Sequence, residues 1–175
     1  MLVTRTIAMA LMFVPLAIMI TYMDVRYRRI PNKLVLLILI GGLVLNGVFG
    51  AWEGLLASLG GIAIAFGVMF LLHVFGTMGA GDVKLFAAIG AVVGSSLVLP
   101  TFLIVTLIGG IFAVCKMVQA RRVKATMFGM GQVLYGLLPG QTVPRFEVSA
   151  DRNFTLPYAV PICVGSVVSF FLFRV

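Results

Sequence analysis

Apolar runs separated by short polar turns occupy most of the chain. Most of these runs approach the ~20 residues that an α-helix needs to cross a bilayer. A segment in lipid must satisfy its backbone hydrogen bonds internally, and a helix does so. The pattern therefore predicts an all-α, polytopic transmembrane helix bundle of about six spans. The predicted spans are residues 6–23, 34–50, 55–75, 82–94, 97–118 and 154–173.

Composition also indicates that the bilayer is the solvent. The chain is 62% hydrophobic and 10% charged, whereas soluble domains carry about 25% charged residues. With a mean hydropathy of +1.19 and a mass of 18.8 kDa, residues 1–175 are expected to form a single integral-membrane domain. Cys115 and Cys163 lie in or beside apolar runs, and no CxxC pair occurs. Both are therefore interpreted as small buried hydrophobic residues, and we predict no metal and no cofactor.

The basic residues give a formal net charge of +8, but they cluster between apolar runs and do not form one continuous face. This distribution is typical of membrane topology signals and argues against nucleic-acid binding. On the six-span topology, eleven of the thirteen lysines and arginines fall on one side, including those of the basic segment 116–152. The exceptions are Arg5 and Arg174. The side rich in lysine and arginine is predicted to be cytoplasmic.

Two of the five acidic residues, Asp24 and Asp82, lie where an apolar run meets a polar turn on this predicted cytoplasmic side. An ionisable residue at the edge of a membrane segment is costly enough to suggest a function. Two carboxylates that share one proton can take a proton from water and donate one to the peptide carbonyl that the water attacks. Gly79 and Gly81 would let the backbone near Asp82 approach an extended substrate. The pair therefore suggests peptide hydrolysis.

The same residues also have structural interpretations. Asp82 could be the N-cap of the fourth span, and Asp24 could pair with an arginine of the loop that follows it. Lys84 either tunes the charge of Asp82 or extends its ammonium group to the interface, and the second role is favoured. His73, on an apolar helix, is typical of a packed core histidine. Because the chain has no second histidine, a metal-dependent hydrolase is not expected.

Two motifs carry a resemblance to a known family. Asp24 is followed by Ile30-Pro31-Asn32, and Gly79-Ala80-Gly81-Asp82-Val83-Lys84-Leu85 lies further along the chain. In this order they resemble the motifs of the type IV prepilin peptidase family, integral-membrane aspartic peptidases of the GxGD kind. The stretch Pro157-Tyr158-Ala159-Val160-Pro161 is similar to the segment that opens the last helix of the family. The resemblance covers essentially the whole chain.

The resemblance implies an aspartic endopeptidase that removes the basic leader peptide of type IV prepilins or pseudopilins at the cytoplasmic membrane face. It also implies the GxGD peptidase architecture, a multi-pass location in the bacterial inner membrane, and prepilins and membrane lipid as partners. The catalytic residues would be Asp24 and Asp82. The residues that bind substrate or support the site would be Gly79, Gly81, Lys84, Pro31 and Asn32.

One feature of the longer family members is missing from this chain. Those members carry a cytoplasmic insert with paired CxxC motifs and also methylate the new N-terminus. This chain has no CxxC motif and resembles the short form associated with tight-adherence (Flp-type) pili, so N-methyltransferase activity is not expected. Three alternatives stay open. They are a preflagellin-type leader peptidase, a transporter or assembly component that uses Asp24 and Asp82 as a proton relay, and a non-catalytic scaffold.

Overall fold

The described part of the chain is built from α-helices. The structure, a computed structural model, describes residues 2–76, 78–119 and 158–174. Within these ranges there are no strands, and the helical elements are α1 (Leu2–Tyr27), α2 (Asn32–Val74), α3 (Ala80–Val93), α4 (Val98–Gln119) and α5 (Ala159–Arg174). The predicted all-α fold is confirmed.

Three of the described helices, α1, α2 and α4, are long and apolar enough to cross a membrane, and α5 is a shorter apolar helix. The chain divides into two compact units, one formed by Met1–Gly109 with Pro157–Val175 and the other by Gly110–Leu156. All the contacts discussed below lie within the first unit. Most of the predicted basic segment 116–152 lies outside the described residues, as does the start of the predicted last span.

Helix α2 is interrupted once, at Ala51, where φ is 48° and ψ is −137°. An alanine in this region of φ/ψ space is strained, because the Cβ atom crowds the backbone. The interruption divides α2 into two limbs, residues 32–50 and 52–74, on which the predicted spans 34–50 and 55–75 fall. The limbs approach closely beyond the break, since a Cβ atom on Gly54 would overlap the Asn46 carbonyl oxygen. The predicted spans leave residues 51–54 between them, whereas the structure has a single non-helical residue there.

Helix α3 is the most enclosed element of the fold. Every residue from Asp82 to Val93 is buried except Lys84. The helix packs against both limbs of α2 at glycine contacts, where a Cβ atom on Gly61 would overlap the Gly90 carbonyl oxygen. A Cβ atom on Gly42 would lie 2.8 Å from the Ala91 carbonyl carbon. Small residues of this kind allow close helix packing, which provides much of the attraction between helices in lipid.

A buried polar cluster holds the C-terminal end of α3. The side-chain amide of Asn46 donates to the Ala91 carbonyl oxygen at 2.7 Å and to the Ser58 hydroxyl at 2.7 Å. The Ser58 hydroxyl donates to the same carbonyl at 2.8 Å, and the Arg5 guanidinium donates to the Asn46 side-chain oxygen. The last carbonyls of a helix have no partner within it. The cluster therefore satisfies the Ala91 carbonyl and fixes the C-terminal end of α3, which is the end remote from Asp82.

Helix α5 runs antiparallel to α1 and packs on it. The rings of Phe13 and Phe170 lie 6.3 Å apart near one end of the pair, and Ala159 contacts Asp24 near the other. A buried hydrogen bond of 2.7 Å between the Thr101 and Ser169 hydroxyls joins α4 to α5. The start of α5 is therefore held beside the end of α1, next to the first acidic motif.

Candidate active site

Asp24 lies in the last turn of α1 and is 8% exposed. The helix ends just after it because Arg28 adopts a left-handed conformation, with φ 54°, while its N–H still bonds to the Asp24 carbonyl at 2.9 Å. The carboxylate oxygen Oδ2 accepts a hydrogen bond of 3.2 Å from the N–H of Ala159, the first residue of α5. The positive charge of Arg28 also lies near this carboxylate. Asp24 is thus held by two elements that are far apart in sequence.

Asp82 is the third residue of α3 and is also 8% exposed. The N-cap of α3 is Gly79, so the interpretation of Asp82 as the N-cap is wrong. The Asp82 side chain instead turns back on the helix start, where its Oδ2 accepts the N–H of Gly79 at 3.2 Å. This is the carboxylate half of a capping box. It fixes the carboxylate relative to the glycine motif that precedes it.

The fold brings the two acidic motifs together. The Asp24 and Asp82 carboxylates lie close enough to interact electrostatically. The Ile30 side chain reaches the glycine motif as well, because its Cδ1 would lie 3.4 Å from a Cβ atom on Gly81. Each carboxylate accepts one backbone N–H at Oδ2. Since an ionised carboxylate has about four lone-pair sites, both retain the capacity to bind a water molecule or a peptide.

The five residues predicted to support the site have different environments. Gly79 lies against Asp82, since a Cβ atom at this position would be 3.1 Å from Asp82 Oδ2. Lys84 is exposed and lies about 200° around α3 from Asp82, which agrees with an interfacial side chain. Gly81 contacts Ile30. Pro31 is the N-cap of α2 and has an extended backbone conformation. Asn32 is the first residue of α2 and is exposed.

Cys163 and Thr21 form a contact beside the aspartates that the sequence did not reveal. Cys163 is buried, and its thiol shares a side-chain hydrogen bond with Thr21 and lies within electrostatic reach of both carboxylates. Thr21 precedes Asp24 by one helical turn, and Cys163 follows Ala159 by one turn, so the contact reinforces the junction of α1 with α5. The expectation of burial holds for Cys163 but is wrong for Cys115, which is exposed.

His73 also differs from its sequence interpretation. It is half-buried near the end of α2, and its Nδ1 lies 2.7 Å from the Met78 carbonyl oxygen. It therefore contacts the turn that leads into the glycine motif, and it is not enclosed in the hydrophobic core. No local sequence pattern predicts the contact of His73 with Met78 or that of Cys163 with Thr21, because the two partners of each contact lie in different elements of the fold.

Two enclosed carboxylates within electrostatic reach of each other can activate a water molecule and protonate a carbonyl oxygen. Among the residues that the structure describes, no three His, Cys, Asp or Glu side chains are grouped so that they could hold a metal ion. The two carboxylates themselves are suited to acid–base hydrolysis.

Comparisons with known proteins address the same region. The type IV leader peptidase family matches residues 11–114, a range that includes both acidic motifs. The prepilin leader peptidase/N-methyltransferase of Bacillus subtilis (strain 168) is 29% identical over 118 residues, which cover 66% of this chain and 47% of that protein. The chain thus spans about half the length of the curated relative that it matches. No solved structure gave a significant match.

Proposed function

Since the chain belongs to the type IV leader peptidase family, we propose that it is a membrane aspartic endopeptidase of the GxGD type. Its substrates would be type IV prepilins or pseudopilins, whose leader peptides it removes. Asp24 and Asp82 would be the catalytic pair. The observation that carries this proposal is that the two carboxylates, from motifs 58 residues apart in sequence, lie within electrostatic reach of each other.

The surroundings of the two carboxylates suggest which one is the general base and which one is the general acid. Burial opposes negative charge on both carboxylates, but the positive charge of Arg28 lies near Asp24 and partly offsets this there, so we assign the base to Asp24 and the proton to Asp82. Asp24 removes a proton from water as the water oxygen attacks the scissile carbonyl carbon, and Asp82 gives its proton to the carbonyl oxygen. The tetrahedral intermediate then collapses: one of its hydroxyls returns a proton to Asp82, the C–N bond breaks, and the proton held by Asp24 passes to the leaving amine.

The site would face the cytoplasm, in a multi-pass protein of the bacterial inner membrane. The predicted excess of lysine and arginine on the side of Asp24 and Asp82 supports this orientation. The proposed reaction needs prepilin, water and a lipid environment, and no cofactor. Every residue of the proposed site lies in the unit formed by Met1–Gly109 and Pro157–Val175. Methylation of the new N-terminus is not part of the proposal, since the chain has no CxxC motif.

The test is a cleavage assay in lipid with a peptide that carries a basic leader, a glycine and an apolar helix. Wild type is compared with Asp24→Asn and Asp82→Asn, each checked for folding, and with Glu53→Gln as a matched control at an exposed acid. We expect cleavage after the glycine by wild type and the control, and none by the two aspartate variants. Wild-type rates in either asparagine variant would remove that aspartate from the mechanism. Failure of wild type on a panel of leaders, preflagellin-like ones included, would favour the relay or scaffold alternatives.

A further inference from the structure

A single peptide group connects His73 to Asp82. The Met78 carbonyl oxygen of this group lies 2.7 Å from His73 Nδ1. The N–H on the other side of the same group, which belongs to Gly79, donates to Asp82 Oδ2 at 3.2 Å. The imidazole, the peptide group and the carboxylate therefore form one continuous chain of hydrogen bonds.

The direction of this chain follows from elementary chemistry. A carbonyl oxygen only accepts hydrogen bonds, so His73 Nδ1 must carry the proton. The ring then donates to the peptide carbonyl, and the peptide N–H donates to the carboxylate. Because both bonds polarise the peptide group in the same sense, each strengthens the other. The ring also fixes the plane of the peptide group, and with it the direction of the N–H that points at Asp82.

The contact is not needed simply to end α2. The backbone already closes this helix, since the Phe75 N–H bonds to the Leu71 carbonyl at 3.2 Å and the Gly76 N–H bonds to the His73 carbonyl at 2.9 Å. The imidazole contacts a residue beyond these backbone hydrogen bonds, in the turn before α3. Two glycines of this turn, Gly76 at φ 72° and Gly79, place few steric restrictions on the backbone.

We propose that His73 is a positioning residue for Asp82, which it orients through the Met78–Gly79 peptide group. The inference rests on the proposed function, in which Asp82 transfers a proton. It assigns no contact between His73 and substrate. Loss of the ring contact should therefore lower kcat and leave KM almost unchanged, because the carboxylate is misplaced while the binding surface is retained.

Two amide side chains provide a matched test. The Asn side-chain nitrogen occupies nearly the place of a histidine Nδ1, whereas that of Gln reaches nearly the place of Nε2. His73→Asn therefore keeps a donor for the Met78 carbonyl, and His73→Gln and His73→Leu do not. We expect kcat to fall about tenfold in the Gln and Leu variants, as for the loss of one hydrogen bond. The Asn variant should stay within about threefold of wild type, with KM within about twofold throughout.

Equal kcat for wild type and His73→Gln, or equal losses for the Asn and Gln variants, would overturn the positioning role. A change confined to KM would overturn it too. These outcomes are distinct from failure of the proposed function, in which wild type does not cleave or Asp82→Asn still does.

A measurement on wild type covers the case in which a variant does not fold. His73 is the single histidine of the chain, so the ring signals in ¹⁵N NMR of histidine-labelled protein in lipid are unambiguous. The proposal requires the neutral ring to carry its proton on Nδ1. The Nε2–H tautomer would overturn it.

Discussion

Gly79→Ala tests the placement of Asp82 with the smallest possible change. The added Cβ atom would lie 3.1 Å from Asp82 Oδ2, a distance at which one of the two must move by a few tenths of an ångström. Alanine can adopt the backbone conformation of this position, φ −75° and ψ 149°. The substitution therefore acts on the carboxylate without straining the backbone.

The magnitude follows from the hydrogen bond that the displaced carboxylate accepts. The bond from the Gly79 N–H is 3.2 Å long, already at the upper limit for N–H···O. In the proposed mechanism Asp82 carries the proton, and a hydrogen bond between uncharged groups contributes about 0.5–1.5 kcal/mol. Loss of this bond would therefore cost about 1 kcal/mol in the orientation of the proton donor, which corresponds to about a fivefold lower kcat.

The assay is steady-state cleavage of the prepilin-like peptide in lipid, with thermal unfolding measured in parallel. Gly81→Ala is the matched control, because the nearest atom to its Cβ would be Ile30 Cδ1 at 3.4 Å, an ordinary contact at the end of a flexible side chain. We expect Gly81→Ala to fold normally and, if the substrate backbone approaches here as predicted, to raise KM more than it changes kcat. Wild-type kcat for Gly79→Ala would refute the reasoning.

Three further predictions address the junction of α1 with α5, the interruption of α2 and the end of α3. Cys163→Ser keeps a hydrogen-bond partner for Thr21 and should retain most of the activity, whereas Cys163→Val should lower kcat several-fold at unchanged helicity. Equal rates for the two variants would contradict this role. Ala51→Gly removes a strained conformation worth about 1–3 kcal/mol and should raise the midpoint of thermal unfolding. A lower midpoint would refute the strain at this residue. Asn46→Leu leaves the Ala91 carbonyl with one donor fewer and should lower the free energy of unfolding by about 1–2 kcal/mol, measured in mixed micelles. Unchanged stability would show that the buried amide is dispensable.

The helices could be predicted from the sequence because lipid offers no hydrogen-bond partners to the backbone. A run of apolar residues near bilayer length must satisfy its own hydrogen bonds, whatever it packs against. The meeting of Asp24 and Asp82 was also predictable in outline. One ends the first apolar run and the other begins the fourth, so an alternating topology places both at the same end of the helices.

The details of the site depend on partners that no local pattern reveals. The contact of Asp24 with the Ala159 N–H joins residues 135 positions apart, and that of Asn46 with Ala91 joins residues 45 positions apart. The role of Asp82 at the third position of α3 was missed because the helix begins two residues before it, at Ala80. A polar residue such as Asn46 within an apolar run was a usable signal, but it did not identify the partner.

The central claim is that Asp24 and Asp82 act as one catalytic unit. The most direct test compares single-turnover cleavage by Asp24→Asn, Asp82→Asn and the double variant. If the two carboxylates share the proton transfers of one reaction, each single variant should lose on the order of 10³-fold or more, and the double variant little further. Independent contributions would instead multiply, so that the double variant would lose on the order of 10⁶-fold. Multiplied losses, or a single variant that cleaves like wild type, would contradict the account.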